Sequence, residues 1–488
     1  MNWNVVRGNA APRHPHVFVF CIDSLRADCV EALRAGSVWK ELGRPVTPAI
    51  DAFSAGARSH SAAISSSSWT KPSVPSMFLS MHPSEHGVME VAKTRSGVSS
   101  PPLPGKGRTV AEAFRDAGYR TVGLAHNAQL HGELGFARGF DFWDADAGSG
   151  DRMLETLQAM DPFADGRPVF LYFHLIEPHW PFGENVQRRA EPERTGRFPF
   201  HTWKAGEWKA FKAELKSGTT TPTPEEVRFL RFCYRLAVED ADRAAGRILD
   251  ALDERGLLER SFSVLTADHG EELLDHGSVG HGQSLHEELV RVPLFLRAGA
   301  DTSLGHVNGR VETPVSHVDL HPTLLDAAGI APDGEGGAKR AGGAAVSGDR
   351  RAAKLSGRSL LAKDAEPSAY AFSEVKHKRR YHQSIHTGRW KLIRSFFFRK
   401  SDDGNGDDYN NLGDLFENRA FRTQRALFDL SRDPGETRDR FADRPELADR
   451  LETALDVWWE RLRPRPKNES AQEMEAELIR RLEALGYL

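Results

Sequence analysis

Three apolar runs in this chain each end on a residue able to bind a cation or move a proton. His16–Ile22 (HVFVFCI) stops at Asp23, Pro168–Phe173 (PVFLYF) at His174, and Ser263–Ala267 (SVLTA) at Asp268-His269. Short runs without alternation, rich in β-branched and aromatic side chains, read as strands buried on both faces, the habit of parallel sheets covered by helices. Open α/β sheets place ligands at the carboxyl ends of their strands, so these stops are where chemistry is expected. The segments between them read as helices. Thr109-Val-Ala-Glu112 has the form of a capping box opening a short helix, which Gly118 ends before the strand Arg120–Leu124. Val227, Leu230, Tyr234, Val238, Ala241, Ala245, Ile248 and Leu252 recur at spacings of three and four, which predicts a long amphipathic helix from Glu225 to about Asp253. Strands alternating with helices predict an α/β fold with a central, largely parallel sheet flanked by helices.

The texture changes after residue 330. Residues 331–356 are Gly/Ala-rich and aperiodic and read as a flexible excursion. Beyond them, Ala369–Val375, Tyr381–His386, Trp390–Phe398 and Ala426–Leu430 predict a short antiparallel sheet, and 444–462 and 472–485 are helical by spacing. The expected division is a catalytic α/β domain over 1–330, the excursion, and a smaller C-terminal α+β subdomain with a helical tail over 357–488.

Charge and composition exclude several classes. Lys and Arg number 65 against 69 Asp and Glu, a net charge of −4 that advertises no nucleic-acid partner. No apolar run is long enough to span a bilayer and the polar N-terminus has no secretory h-region, so a cytoplasmic location is expected. Three cysteines give no disulfide framework. Cys21 falls in a strand, Cys29 and Cys233 fall in predicted helices, and inert packing is the expectation for all three.

Two regions carry candidate chemistry. In SSSSWTKPSVPSMF, Thr70 stands at or before a helix start marked by Pro72, where unpaired N–H groups and the helix dipole favour an alkoxide or an anionic oxygen. The same pattern also suits a simple N-cap. In Asp268-His269-Gly270-Glu271 an aspartate and a histidine leave a buried strand together and can turn toward one cation, although an isolated pair can equally cap a helix. An oxygen–nitrogen donor set favours zinc or manganese, with calcium or magnesium as alternatives. His276, His281, His174 and His179 stand on Gly- or Pro-bounded loops or at strand ends near these segments. The stretch Leu285-His286-Glu287-Glu288-Leu289-Val290 begins like a zinc-protease helix, but Val290 replaces the second histidine and the motif is discarded.

Together these segments resemble the sulfatase family of the alkaline phosphatase superfamily. The resemblance runs through CIDSLRAD (21–28), TPAIDAF (47–53), SWTKPSVPSMF, HPSEHGV, GFARGFDFW (135–143), EPHWPF, TADHGEE, EELVRVPLF, SHVDLHPTLLDAAGI (316–330), GRWKLI, LFDLSRDPGET (427–437) and the closing LEALGYL. It implies an alkaline-phosphatase-like fold. It also implies that Asp23, Asp268 and His269 hold a divalent cation with the oxygen of Thr70, one or two ions per chain. His281 and His179 would act at a second metal or on ester oxygens, with Lys71, Asn127 and His174 as substrate-binding candidates and Glu271 as a further one. Lys71 could equally be an exposed lysine beside a cap. Lys391 in GRWKLI is expected to be structural.

The chain departs from the family at the nucleophile. Sulfatases carry Cys or Ser in C/S-x-P-x-R, converted to formylglycine, whereas this chain has Thr70-Lys71-Pro72-Ser73-Val74 and no cysteine in the motif. The expected reaction is hydrolysis of a sulfuric or phosphoric ester through a covalent Thr70 intermediate, on a small-molecule, glycan or lipid anionic ester. Alternatives are a phosphoethanolamine-type transferase and a catalytically silent anion-binding module. The insertion at 184–223, with Trp203 and Trp208, is a candidate cover for the cleft, packing of its own residues being the simpler role for the tryptophans. Leaving group and oligomeric state are not legible in the sequence.

Overall fold

A computed structural model of the chain describes residues 14–33, 39, 43, 46–89, 92–94, 97–99, 102–331, 355–362, 368–398 and 422–462. Most of the Gly/Ala-rich excursion and the predicted helix at 472–485 lie outside the described residues. The sheet strands are β1 (His16–Ile22), β2 (Arg58–His60), β3 (Arg120–Ala125), β4 (Phe142–Asp144), β5 (Val169–Leu175), β6 (Ser261–Thr266), β7 (Leu294–Ala298) and β8 (Gly309–Val311). They form one eight-stranded sheet in the order β8-β2-β7-β6-β1-β5-β3-β4. β7 runs antiparallel to both neighbours and the other pairs are parallel.

Every residue of β1, β5 and β6 is buried, as expected for strands with helices on both faces. Their register fixes where the polar stops fall. Cys21 pairs with His174 on one side and Thr266 on the other, and His174 pairs with Ala125. The carboxyl ends of β6, β1, β5 and β3, four adjacent strands, are therefore level, and the residues just beyond them are neighbours in space.

Helices pin these ends. α1 (Thr70–Leu79) lies wholly buried. α2 (Val110–Asp116) opens with the expected capping box, Glu112 N donating to Thr109 Oγ1 at 3.1 Å and Thr109 N to the Glu112 carboxylate at 2.9 Å. α3 (Ala205–Ser217) belongs to the insertion. α4 (Pro224–Asp253) is the predicted long helix, starting one residue earlier behind a second capping box between Thr223 and Glu226. Cys29 sits in a single 3₁₀ turn rather than a longer helix. All three cysteines are buried and unpaired.

The C-terminal part is a four-stranded antiparallel meander of β9 (Ala371–His377), β10 (Arg380–His386), β11 (Trp390–Phe397) and β12 (Arg422–Asp429). β12 begins before the predicted 426 because Arg422–Arg425, polar and largely exposed, give no apolar signal although they continue the ladder. α5 (Pro445–Leu462) packs on this sheet, with Trp458 stacked on Phe372 at 4.7 Å between ring centroids. The sheet is tied to the main body by buried polar contacts. Glu374 N donates to Ser66 O at 3.0 Å, and Lys391 Nζ lies 3.1 Å from Glu287 and 2.9 Å from Glu436. Lys391 is completely buried, the structural role expected of it. Among the described residues no helix is long and apolar enough to cross a membrane.

Glu374 gives this junction a pH signature. Burial raises its carboxyl to about 7, outweighing the donors Tyr381 Oη and Ser84 N. Its proton is held more tightly folded than unfolded, so its contribution is full below the unfolded value and is lost as pH rises through about 7. Between about pH 5 and about pH 8 the wild type is expected to lose about 2–3 kcal/mol relative to Glu374→Gln, read by chemical denaturation. Parallel pH profiles for the two proteins would contradict this assignment.

Candidate active site

Thr70 is the first residue of α1, preceded by Trp69 in extended backbone. The start of this helix is bound to the loop after β6. Ser65 and Ser73 each donate to the carbonyl oxygen of Asp268 at 2.6 Å, and Ser73 Oγ also lies 2.9 Å from His317 Nδ1. These contacts bring Thr70 Oγ1 to 3.2 Å from His269 Nε2 and 3.4 Å from Asp23 Oδ2. Thr70, Asp23, Asp268, His269 and His174 have no exposed surface. The structure thus brings together residues that are far apart in the chain.

Two carboxylates share this dry volume. Ser24 N and His269 N both donate to Asp268 Oδ1, at 3.2 and 2.9 Å, while Asp268 Oδ2 is buried with no hydrogen-bond partner. Burial and the charge of Asp23 both raise the Asp268 carboxyl. Burial works to raise Asp23 as well, but the imidazoles of His179, His174 and His269 outweigh it and hold it far below the usual carboxylate range. Asp23, Asp268 and His269 each offer a donor atom within 4.8 Å of the others. An orphaned buried carboxylate oxygen and a two-carboxylate, one-imidazole donor set fit a divalent cation.

Hydrogen bonds set the imidazole and amide orientations. His269 Nδ1 is 2.8 Å from Gly270 O, which places a proton on Nδ1 and turns Nε2 toward Thr70. Asn127 Oδ1 accepts from Gln129 N at 2.9 Å, which turns Nδ2 toward Asp23 Oδ2 at 2.8 Å and Thr70 Oγ1 at 3.5 Å. His174 Nε2 lies 3.2 Å from Asp23 Oδ2 and Nδ1 lies 3.0 Å from the Tyr172 hydroxyl. Both its nitrogens therefore have partners within the protein.

His281 and His179 stand beside this cluster. The His281 ring centroid is 4.5 Å from that of His269 and 4.8 Å from that of His179. Glu271 Oε2 lies 3.1 Å from His281 Nδ1, which leaves Nε2 as the free nitrogen. Burial holds His281 down to about 4, so its imidazole is neutral near pH 7. Two glycines make this placement possible. Gly280 and Gly282, flanking His281, both have left-handed φ near +84° and +82°.

Lys71 is not the exposed residue that a lysine beside a cap would be. It is completely buried, Nζ has no hydrogen-bond partner, and burial lowers it to about 8. No ion pair joins it to Asp23 or Asp268. The tryptophans of the insertion pack inward: Trp208 is buried, and Trp203 meets Phe200 at 4.8 Å and Phe211 at 5.1 Å. His276 turns away from the cluster toward Glu288, 2.8 Å from its Nδ1.

Sequence reading missed the scaffolding. Arg26, almost wholly buried, joins Asp28 and Asp275 at 2.9 Å each and so ties the loop after β1 to the loop carrying His281. Tyr234 of α4 donates to Ser24 O at 2.6 Å. The polar pattern of CIDSLRAD is the sequence signal for Arg26 and Asp28, and the helical spacing is the signal for Tyr234.

The model of the Sulfatase family matches residues 15–330. Arylsulfatase K of Xenopus laevis is 32% identical over 180 residues, covering 34% of this chain and 33% of its own. The chain thus spans between about a fifth and about a third of the length of the curated relatives it matches. Among solved structures, a 2-O GAG sulfatase superimposes with a TM-score of 0.65 at 17% identity over 92% of this chain and 93% of its own. The phosphonate monoester hydrolase of Agrobacterium radiobacter superimposes with a TM-score of 0.62 at 19% identity, over 92% and 95%. With a family match across most of the described α/β body and a shared fold, the chain belongs to the sulfatase family.

Proposed function

We propose that this chain is a metal-dependent hydrolase of sulfuric or phosphoric esters that acts through a covalent intermediate on Thr70. The observation that carries this reading is the position of Thr70 Oγ1, 3.2 Å from His269 Nε2 and 3.4 Å from Asp23 Oδ2, beside the orphaned oxygen of Asp268. Asp23, Asp268 and His269 are the residues that would hold a divalent ion, zinc or manganese by donor type. Such an ion, when bound, lowers the pKa of an adjacent hydroxyl and screens ester oxygens. Thr70 Oγ1 attacks phosphorus or sulfur in line, the bond to the leaving alcohol oxygen breaks as the Thr70 ester forms, the Thr70 proton ends on the departing oxygen, and the N-terminal end of α1 favours the anionic oxygens there. Asn127 Nδ2, directed at both Asp23 and Thr70, orients the hydroxyl. His281, neutral and held by Glu271, is the candidate base for the water that releases the ester, with His179 beside it.

The nucleophile bears on the substrate. A formylglycine hydrate can expel sulfate through its second hydroxyl. Threonine has none, so its adduct must be cleaved by water. That requirement favours phosphoryl or phosphonyl esters on chemical grounds, while the family includes proteins named for sulfate esters. Val74, buried where the family carries arginine, removes one cation from the anion site.

Thr70→Ala is expected to lower kcat/KM by roughly three orders of magnitude or more, with Thr70→Ser retaining turnover. The assay is a parallel screen of aryl sulfate, phosphate monoester, phosphate diester and phosphonate monoester with zinc, manganese, magnesium and calcium. Near-wild-type activity of Thr70→Ala would remove the assignment. A separate outcome concerns the carboxylates. Stripped of metal, Asp268→Asn is expected to melt above the wild type because one buried like-charge contact is gone. Added divalent ion should then raise the melting temperature of the wild type more than that of Asp268→Asn. An equal metal response in both proteins would place the ion elsewhere.

A further inference from the structure

The insertion reaches the active site through one side chain. Trp208 and Lys212 stand one helical turn apart on α3, on the same face. Trp208 packs against Trp180, 5.3 Å between ring centroids, and Lys212 Nζ lies 5.2 Å from the centre of the Trp180 ring. Trp180 adjoins the candidate base, its centroid 6.3 Å from that of His281. Gly280, the residue before His281, marks the meeting point. A Cβ at this position would collide with Lys212 Nζ and stand 3.4 Å from Trp180 Nε1, so two N–H donors come together over bare backbone.

Neither donor is used. Trp180 Nε1 is buried with no hydrogen-bond partner. Among the described residues no carboxylate lies within ion-pair distance of Lys212, although Glu271 and Glu272 act on it electrostatically. Both of those carboxylates have other donors. Glu271 holds His281 at 3.1 Å, and Glu272 accepts from Gln283 Nε2 at 2.7 Å and Ser278 N at 2.8 Å. Exposure shows which side faces solvent. Thr70, Asp23, Asp268 and His269 have no exposed surface, whereas His179, Trp180, His281 and Lys212 are half-buried.

From this arrangement we infer that Lys212 and Trp180 Nε1 form an anion-binding subsite for the leaving group, so that the preferred ester is one whose alcohol is a ring carrying a second negative charge. The inference rests on the reading of Thr70 as the reacting residue. Moving outward from Thr70, His269 Nε2 comes first at 3.2 Å, His281 follows at 4.5 Å from His269 between centroids, and Lys212 stands beyond it at Gly280. An ester held at Thr70 must extend past the reacting atom by the width of a ring before a substituent meets Lys212. His179 and Trp180 line that stretch with aromatic surface. An ammonium and an indole N–H can only donate, so the group they receive is an acceptor, and the ammonium favours one with negative charge. A lysine that merely supported His281 through Glu271 would affect every ester alike.

Phenylphosphonate and its 4-carboxy and 4-sulfo derivatives are the probes, because none is cleaved and binding is read without reaction at Thr70. Each is titrated calorimetrically into the zinc-loaded full chain. At least one substituted probe is expected to bind about tenfold more tightly than phenylphosphonate, and which one does so separates a carboxylate from a sulfonate. The preference should be lost in Lys212→Gln, kept in Lys212→Arg and reduced in Trp180→Phe, which keeps a ring but lacks the N–H. Equal affinities for the three probes, a preference that survives Lys212→Gln, or an equal weakening of all three in that variant would overturn the inference. Failure of Thr70 as the nucleophile shows itself separately, as activity in Thr70→Ala, and leaves the probe preference standing.

Discussion

Two carboxylates that water cannot reach, Asp23 and Asp268, face the same small volume at the end of the central sheet. Neither can be charged there cheaply while the other is, and the surrounding residues answer that problem in detail. His174 and Asn127 direct their hydrogens at Asp23, Ser24 N and His269 N direct theirs at one oxygen of Asp268, and the other oxygen is left over. A buried polar atom without a partner costs about 1–3 kcal/mol, more when it carries charge. A cation held there, as the proposed function requires, would offset this cost.

The geometry follows from strand register. Because Cys21 is level with His174 and Thr266, and His174 with Ala125, four neighbouring strands end together and hand their next residues to one point. The helix carrying Thr70 is then drawn to that point by Ser65 and Ser73 on the Asp268 carbonyl. The insertion with Trp203 and Trp208 is itself a packed unit, its aromatic side chains turned toward one another.

Much of this was legible in the chain because the signals are local. A buried strand that stops at Asp23, His174 or Asp268 announces both the sheet and its functional edge. The capping boxes at Thr109 and Thr223 announce helix starts. What could not be read depends on contacts across long separations: Ser73 reaches Asp268 over 195 positions, and Glu436 meets His286 over 150. Side-chain burial is equally illegible, and so Lys71 could be placed beside Thr70 but not known to be enclosed. The use of both His174 nitrogens within the protein depends on Tyr172 and Asp23 at once, a three-body fact with no sequence pattern.

The central claim is that a threonine does in this protein what a modified residue does elsewhere in the family. Rapid quenching during turnover, followed by mass analysis of the proteolysed chain, tests it directly. The peptide containing Thr70 should gain the mass of one phosphoryl, phosphonyl or sulfuryl group, and the adduct should accumulate in His281→Ala, whose water step is slowed. Steady turnover with that peptide unmodified in both proteins, or with the added mass on another residue, would contradict the account.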